Sequence, residues 1–252
     1  MIHRHWIALG VCTLGLGVSY WALAGAAADT LPSDVFTRLV TEDAKYIQAT
    51  LMKPKLDKKT GRKVKAAALM IAQYAQAHMN NTNAKEMASL RDKAIQVIKA
   101  VDDEKIDDAR KLAAALSAKP AVDPAAKAEK IPLHSHLDFE FLMRQFSGER
   151  IGGFALEAQL EELVDVKGTL EGDKQQKALD LAYKITMLGN LAHSYPKEDE
   201  PKGKTRKAWD TLSTQMRTQG VALADTIRMG KEVSVAANAL TVSCTKCHDV
   251  FR

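Results

Sequence analysis

Apolar residues recur at helical spacing along nearly all of the sequence that follows Asp29. The first such segment predicts a helix from Ser33, a candidate N-cap, to about Leu51. Aromatic residues make up only 6% of the chain, whereas Ala, Leu, Lys and Met, which lose little rotamer freedom in a helix, are frequent. Long period-2 runs of β-branched residues are absent. The sequence therefore predicts an all-α fold.

The same periodicity predicts seven further helices and the segments that separate them. Pro54–Gly61 is expected to be a charged turn, and Tyr195–Gly203 a polar loop. Residues 119–132 contain three prolines and are expected to form a linker. A short apolar stretch, Leu133–Phe146, follows the linker. The expected helices are Lys63–His78, Asn83–Ala100, Asp103–Leu116, Phe154–Val166, Asp173–His193, Thr205–Arg228 and Lys231–Phe251.

The two halves of the sequence resemble each other. His78 matches His193, 115 positions later, at the end of a similar helix. Leu116 matches Leu240, 124 positions later, and the nine additional residues fit a longer loop after Tyr195. We interpret this as a degenerate duplication of one four-helix unit; similarity among all Ala-rich amphipathic helices is the alternative. The expected organisation is two tandem four-helix-bundle-like units at residues 29–118 and 133–252.

Residues 1–28 have the pattern of an export signal. Arg4 precedes an almost wholly apolar run, Trp6–Leu23, which is followed by the small residues Ala24–Ala28. We expect cleavage and a periplasmic location, although the run is long enough to serve as an uncleaved membrane anchor. Cleavage would remove Cys12, so the two remaining cysteines would both belong to one motif.

The charge pattern limits the classes of partner. The formal net charge is +5, but Lys and Glu are interspersed along helices, as on a solvated face, so a nucleic-acid partner is not expected. The basic balance allows docking to an acidic redox protein, or to a membrane surface if the leader is retained.

The C-terminus contains the motif that carries chemistry, Cys-x-x-Cys-His, at Cys244, Cys247 and His248. This is the attachment signature of a single covalent haem c. Two intervening residues put both sulfurs on one side of a helical turn, within reach of the two vinyl groups of one porphyrin. The adjacent histidine can then ligate the iron as neutral imidazole. In the duplicate, the motif falls opposite Pro120, Asp123 and Pro124, so haem is expected only in the second unit.

The two cysteines allow three other interpretations. A redox dithiol is expected in a βαβ context. A structural zinc site needs further thiol or imidazole ligands at suitable spacing. A plain disulfide is the third. No nucleophile elbow, phosphate loop or zinc-protease motif is present, so an enzyme is not expected.

The segment CTKCHDVFR resembles the C-terminal helix of the cytochrome c′ family of class II c-type cytochromes. The resemblance is specific over about ten residues and architectural over Ile131–Arg252. It implies a haem at one end of the second bundle, with His248 as proximal iron ligand and Arg252 one helical turn away. Family members are five-coordinate with an apolar distal pocket, or six-coordinate with a methionine.

Met143 is the first candidate for the sixth ligand, and Met187 is a poorer one. His134 and His136 are the alternative ligands. We expect Leu142 to contribute to the distal pocket, and phenylalanines to pack against the porphyrin. These phenylalanines are Phe139, Phe141 and Phe146.

Three functions remain open at this point. The first is a periplasmic electron carrier with methionine opposite His248. The second is a five-coordinate protein that binds NO or CO, and the third is an interaction module in which the first bundle mediates assembly. A homodimer is compatible with each. The coordination number, the reduction potential and the partner do not follow from the sequence.

Overall fold

The structure is a computed structural model that describes residues 31–148, 153–195 and 204–251, apart from the side chains of Glu140, Leu142 and Gln145. Over these ranges it contains helices and no strands, which confirms the predicted all-α class. The predicted leader, residues 1–28, lies outside them. None of the helices described is long and apolar enough to span a bilayer. The α-helices are α1 (Ser33–Leu51), α2 (Lys58–His78), α3 (Ala84–Asp102), α4 (Ile106–Ala114), α5 (Phe139–Met143), α6 (Leu156–Val164), α7 (Gly172–Ser194), α8 (Arg206–Arg228) and α9 (Ser234–Phe251).

The helix boundaries differ from the predicted ones mainly at N-termini. Asp57 caps α2 by accepting a hydrogen bond from the backbone N–H of Thr60 at 2.6 Å. The helix therefore starts at Lys58, and the interpretation of Pro54–Gly61 as a turn is wrong from that residue onward. Ser33 is the first residue of α1 and Pro32 occupies the N-cap, so the predicted cap is also wrong.

The helices contact one another in the same order in both halves. In the first half, α1 and α3 each pack against both α2 and α4; in the second, α6 and α8 each pack against both α7 and α9. This shared order is compatible with the proposed duplication. The last helices differ in length, because α4 ends at Ala114, whereas α9 continues beyond the equivalent position to Phe251. The Cys-x-x-Cys-His motif lies in this additional length of α9.

Helices α1 and α2 of the first half pack against α7 of the second. Arg38 in α1 donates hydrogen bonds to both carboxylate oxygens of Asp180 in α7, at 2.8–3.0 Å. Nearby, the ammonium of Lys184 lies 3.2 Å from the carboxylate of Asp43, and both side chains are almost inaccessible to water. Charged pairs with good geometry therefore join the two halves.

Residues 119–132 contain no helix but are docked on α2 and α3. The guanidinium of Arg91, which is only 1% exposed, donates to the backbone carbonyls of Lys127 and Glu129. The side-chain amide of Gln76 both donates to and accepts from the backbone of Ile131. This segment thus packs on the first half instead of hanging free.

Candidate functional site

The motif continues the buried stripe of α9. Ala237, Leu240 and Cys244 are buried at spacings of three and four residues, which is the period of one helical face. Cys247 and His248 follow three and four residues after Cys244, so they lie on the same face, and both are partly buried. This face of α9 packs against α6 and α8.

A complementary stripe on α8 faces the motif. Trp209, Ser213 and Met216 are buried at helical spacing, and Leu212 lies between them. The indole N–H of Trp209 donates to the carbonyl of Ala192 in α7 at 3.0 Å, which fixes the plane of the ring. α8 therefore provides an ordered, mostly apolar wall.

Between these elements lies what we call the motif cleft, formed by two adjoining pockets of about 20 and 350 Å³. Small-molecule sites commonly have volumes of roughly 300–1,000 Å³, a range that the second pocket reaches and the first, closely packed pocket does not. Both pockets are lined by Met143, Trp209, Cys247 and His248. The first pocket has almost entirely apolar walls; Cys244, Phe146 and Met216 also line it, while Phe139 and Phe251 line the second.

α5 brings Met143 into the cleft although this residue precedes the motif by about a hundred positions. Phe139, one turn earlier in the same helix, packs edge-on against Trp209 with ring centroids 4.7 Å apart. Trp209 in turn packs edge-on against Phe251 of α9 at 5.0 Å. The aromatic contacts therefore tie α5 and α9 to one residue of α8.

The electrostatic environment of the motif is dominated by burial and by one carboxylate. Glu157 of α6 places an Oε1 atom 4.0 Å from Nδ1 of His248. Burial, together with the negative charge of Glu157 and the neighbouring Cys247, raises the pKa of the Cys244 thiol to about 12. Burial also raises the pKa of Cys247. Both cysteines are free thiols, and at neutral pH both are protonated.

The structure does not bring Phe141 to the cleft. Its ring faces α2, with the guanidinium carbon of Arg62 at 5.3 Å and Nζ of Lys65 at 4.8 Å from its centroid. Positions 139 and 141 of so short a helix point to different sides. The side chain of Leu142 and the whole of Arg252 lie outside the described part of the chain.

The alternative ligands also lie elsewhere. His134 packs against Tyr195 at 5.8 Å, and burial together with the charges of Lys99 and Arg91 lowers the pKa of His136. Neither histidine is among the described residues that line the cleft. Met187 is fully buried in α7, and the amide of Asn190 contacts its sulfur at 3.9 Å.

Trp209, Met216 and Glu157 were not singled out from the sequence. The period of α8 shows that Trp209 and Met216, seven residues apart, share a buried face, but it does not show which helix that face meets. Glu157 belongs to an acidic stretch of α6, which in the sequence resembles an ordinary solvated surface.

Comparisons of the chain with models of protein families, with curated proteins and with solved structures yield no match. Among the residues that the structure describes, no group of three or more His, Cys, Asp and Glu side chains forms a metal-ion site.

Proposed function

We propose that the chain is an exported monohaem c-type cytochrome that acts in electron transfer. In this proposal, haem c is attached through Cys244 and Cys247, and His248 ligates one face of the iron. The observation that carries the proposal is the composition of the motif cleft. Both cysteines and the histidine line it together with a methionine from a separate helix.

The residues of the cleft fit haem c. Both cysteines are free thiols, the form that can add across a vinyl group to give a thioether. His248 supplies an imidazole. Phe146 and Trp209 offer apolar surface to a porphyrin, whose two faces are apolar as well. When bound, the haem supplies the one-electron chemistry, and the protein controls its ligation and access.

Met143 is the proposed sixth ligand. A thioether opposite histidine raises the reduction potential and suits an electron carrier. Met143 is partly buried and lines both pockets of the cleft together with His248. These two residues come from α5 and α9, so ligation by both would also tie the two helices together.

The periplasm is the proposed location. The charged, apolar and Ala-rich succession in residues 1–28 supports export, and haem c is attached outside the cytoplasm. The proposed partners are redox proteins with acidic surfaces, and no catalytic residue is proposed.

The first experiment is the absorption spectrum of the exported protein, oxidised and reduced, with and without carbon monoxide. We expect a low-spin spectrum that does not respond to carbon monoxide. A high-spin spectrum that changes with carbon monoxide would indicate a vacant sixth position and would favour gas binding instead.

A second experiment tests covalent attachment. Cys244→Ala and Cys247→Ala should each lose one thioether, and the double variant should lose all haem that survives denaturation. Cys12→Ala is the matched control, because it removes the third cysteine of the sequence from the predicted leader. A full covalent haem content in the double variant would overturn the proposal.

A further inference from the structure

The positive charge of the protein is concentrated in one segment of the first half. The stretch from position 53 to position 65 contains seven basic residues and one acidic residue, Asp57, a net charge of +6. The whole chain carries +5, so all other residues together carry a net charge of −1. We call the seven basic residues the basic segment: Lys53, Lys55, Lys58, Lys59, Arg62, Lys63 and Lys65.

The basic segment contacts the elements that build the motif cleft. Arg62 and Lys65 lie over the ring of Phe141 in α5, the helix that carries Met143. Lys63 lies over the ring of Phe154, with Nζ 5.3 Å from the centroid of the ring. Phe154 precedes Glu157 by three residues. Such cation–π contacts are attractive and directional. The segment is therefore held against the second half of the protein.

α5 separates the basic segment from the cleft. Phe139 and Met143 line the cleft, whereas Phe141, between them in sequence, faces α2. Arg62 and Lys65 lie on one side of this short helix and the cleft lies on the other, and a helix is about 10 Å in diameter with side chains. A protein bound around Arg62 and Lys65 would therefore lie about one helix diameter, roughly 10 Å, from the cleft.

Nearby acidic groups neutralise part of this charge. Lys65 pairs with Asp102 at 2.5 Å, and the Asp57 carboxylate caps the start of α2. Four lysines of the segment are exposed to solvent and precede or begin α2: Lys53, Lys55, Lys58 and Lys59.

We propose that the basic segment docks an acidic redox protein, so that the first half recognises the partner and the second half exchanges the electron. This inference rests on the proposed function. A concentrated positive surface steers an oppositely charged partner and speeds association. A membrane is less favoured, because interfacial segments expose a whole apolar face, whereas here the adjacent exposed apolar residue is Met52.

The test variant replaces the four exposed lysines with Gln, and the matched control removes the same charge elsewhere. Neither set lines the cleft, and all eight lysines are exposed. Lys58 and Lys59 begin α2, where a positive charge is unfavourable, so their loss should not weaken the helix. The test set is Lys53→Gln, Lys55→Gln, Lys58→Gln and Lys59→Gln; the control set is Lys119→Gln, Lys127→Gln, Lys174→Gln and Lys231→Gln.

The readout is the rate of reduction of the oxidised protein by a reduced plant-type ferredoxin, used as an acidic probe. Ionic strength is varied from about 10 to about 150 mM, which shortens the Debye length from about 30 to about 8 Å. We expect the native rate to fall about tenfold or more over this range. At low ionic strength the test variant should be slower by about tenfold and insensitive to salt, whereas the control should change by no more than about threefold.

Binding to ferredoxin, measured by calorimetry, and binding to vesicles of phosphatidylserine and phosphatidylcholine complete the test. Equal rates and equal ferredoxin binding in both variants would overturn the docking proposal. So would a test variant that loses only vesicle binding, because the segment would then be a membrane contact. Absence of a haem spectrum would refute the proposed function. Calorimetry would still compare ferredoxin binding by the test and control variants and so would test the docking proposal separately.

Discussion

The carboxylate of Glu157 in α6 lies 4.0 Å from Nδ1 of His248 in α9. When Nε2 of a histidine ligates a metal, Nδ1 carries the proton, and a nearby carboxylate makes the imidazole a stronger donor. A negative charge there also favours the oxidised iron, which is one unit more positive. In the proposed cytochrome, Glu157 therefore holds the reduction potential down.

Glu157→Gln should raise the reduction potential of the haem-loaded protein by roughly 30–60 mV, equivalent to ~1 kcal/mol for one electron. Spectroelectrochemical titration measures the change. Glu161→Gln is the control, since Glu161 lies one turn further along α6 and is exposed; its potential should stay within about 10 mV of the native value. Equal shifts in both variants would show that only the overall charge matters.

The two methionines of the cleft can be distinguished by isosteric replacement. Leucine preserves most of the volume of methionine but removes the thioether. Met143→Leu should convert a low-spin iron to a high-spin form that binds carbon monoxide, whereas Met216→Leu should leave the visible spectrum unchanged. The opposite result would assign the sixth ligand to Met216, which also lines the first pocket.

The sequence predicted the helices and the motif better than it predicted their partners. Helical periodicity shows which face is buried, and it placed Cys244, Cys247 and His248 on one face of the last helix. It does not show which helices meet, so the contact between α9 and the Trp209 face of α8 could not be predicted.

Phe141 illustrates the same limit at shorter range. Apolar residues occupy positions 139, 141, 142, 143 and 146, which do not define one narrow helical face, so the pattern does not distinguish Phe139, which enters the cleft, from Phe141, which does not. The position of Phe141 depends on Arg62 and Lys65, which are more than seventy residues away in sequence. Contacts of this kind become visible only in the folded chain.

Cys244 should be unreactive in the haem-free folded protein. Burial raises the pKa of its thiol to about 12, and only the thiolate reacts with alkylating agents. At pH 8 its thiolate fraction is therefore about two thousandfold below that of an ordinary cysteine with pKa about 8.5. Because the raised pKa keeps the Cys244 thiol protonated, its alkylation should accelerate about tenfold per pH unit until the pH approaches 12.

Mass spectrometry after iodoacetamide treatment measures the modification of each cysteine. Cys247 is more exposed and should react before Cys244, and both should react rapidly once guanidinium chloride unfolds the chain. Rapid alkylation of Cys244 at pH 8 without denaturant would mean that α9 is not packed as described. Slow alkylation would imply that, in the proposed cytochrome, haem is attached before α9 packs against α6 and α8.

Asp43 and Lys184 join α1 to α7, and each should be needed for stability only while the charge of the other is present. The two side chains are 5% and 12% exposed, so removing one partner leaves the other charge buried and uncompensated. Lys184→Met should lower the free energy of unfolding by about 3–5 kcal/mol. The double variant Asp43→Asn, Lys184→Met should recover most of this loss, because no buried charge remains.

Guanidinium unfolding followed by far-ultraviolet circular dichroism measures these changes. Asp34→Asn is the control: Asp34 is 62% exposed in its pair with Arg38, so the loss should not exceed about 1 kcal/mol. If Lys184→Met also loses no more than about 1 kcal/mol, water reaches the pair of Asp43 and Lys184, and α1 and α7 are less tightly packed. Recovery of stability in the double variant would show that the loss in Lys184→Met comes from the buried, unpaired charge of Asp43. The double variant also lacks the ion pair, but it leaves no charge unpaired.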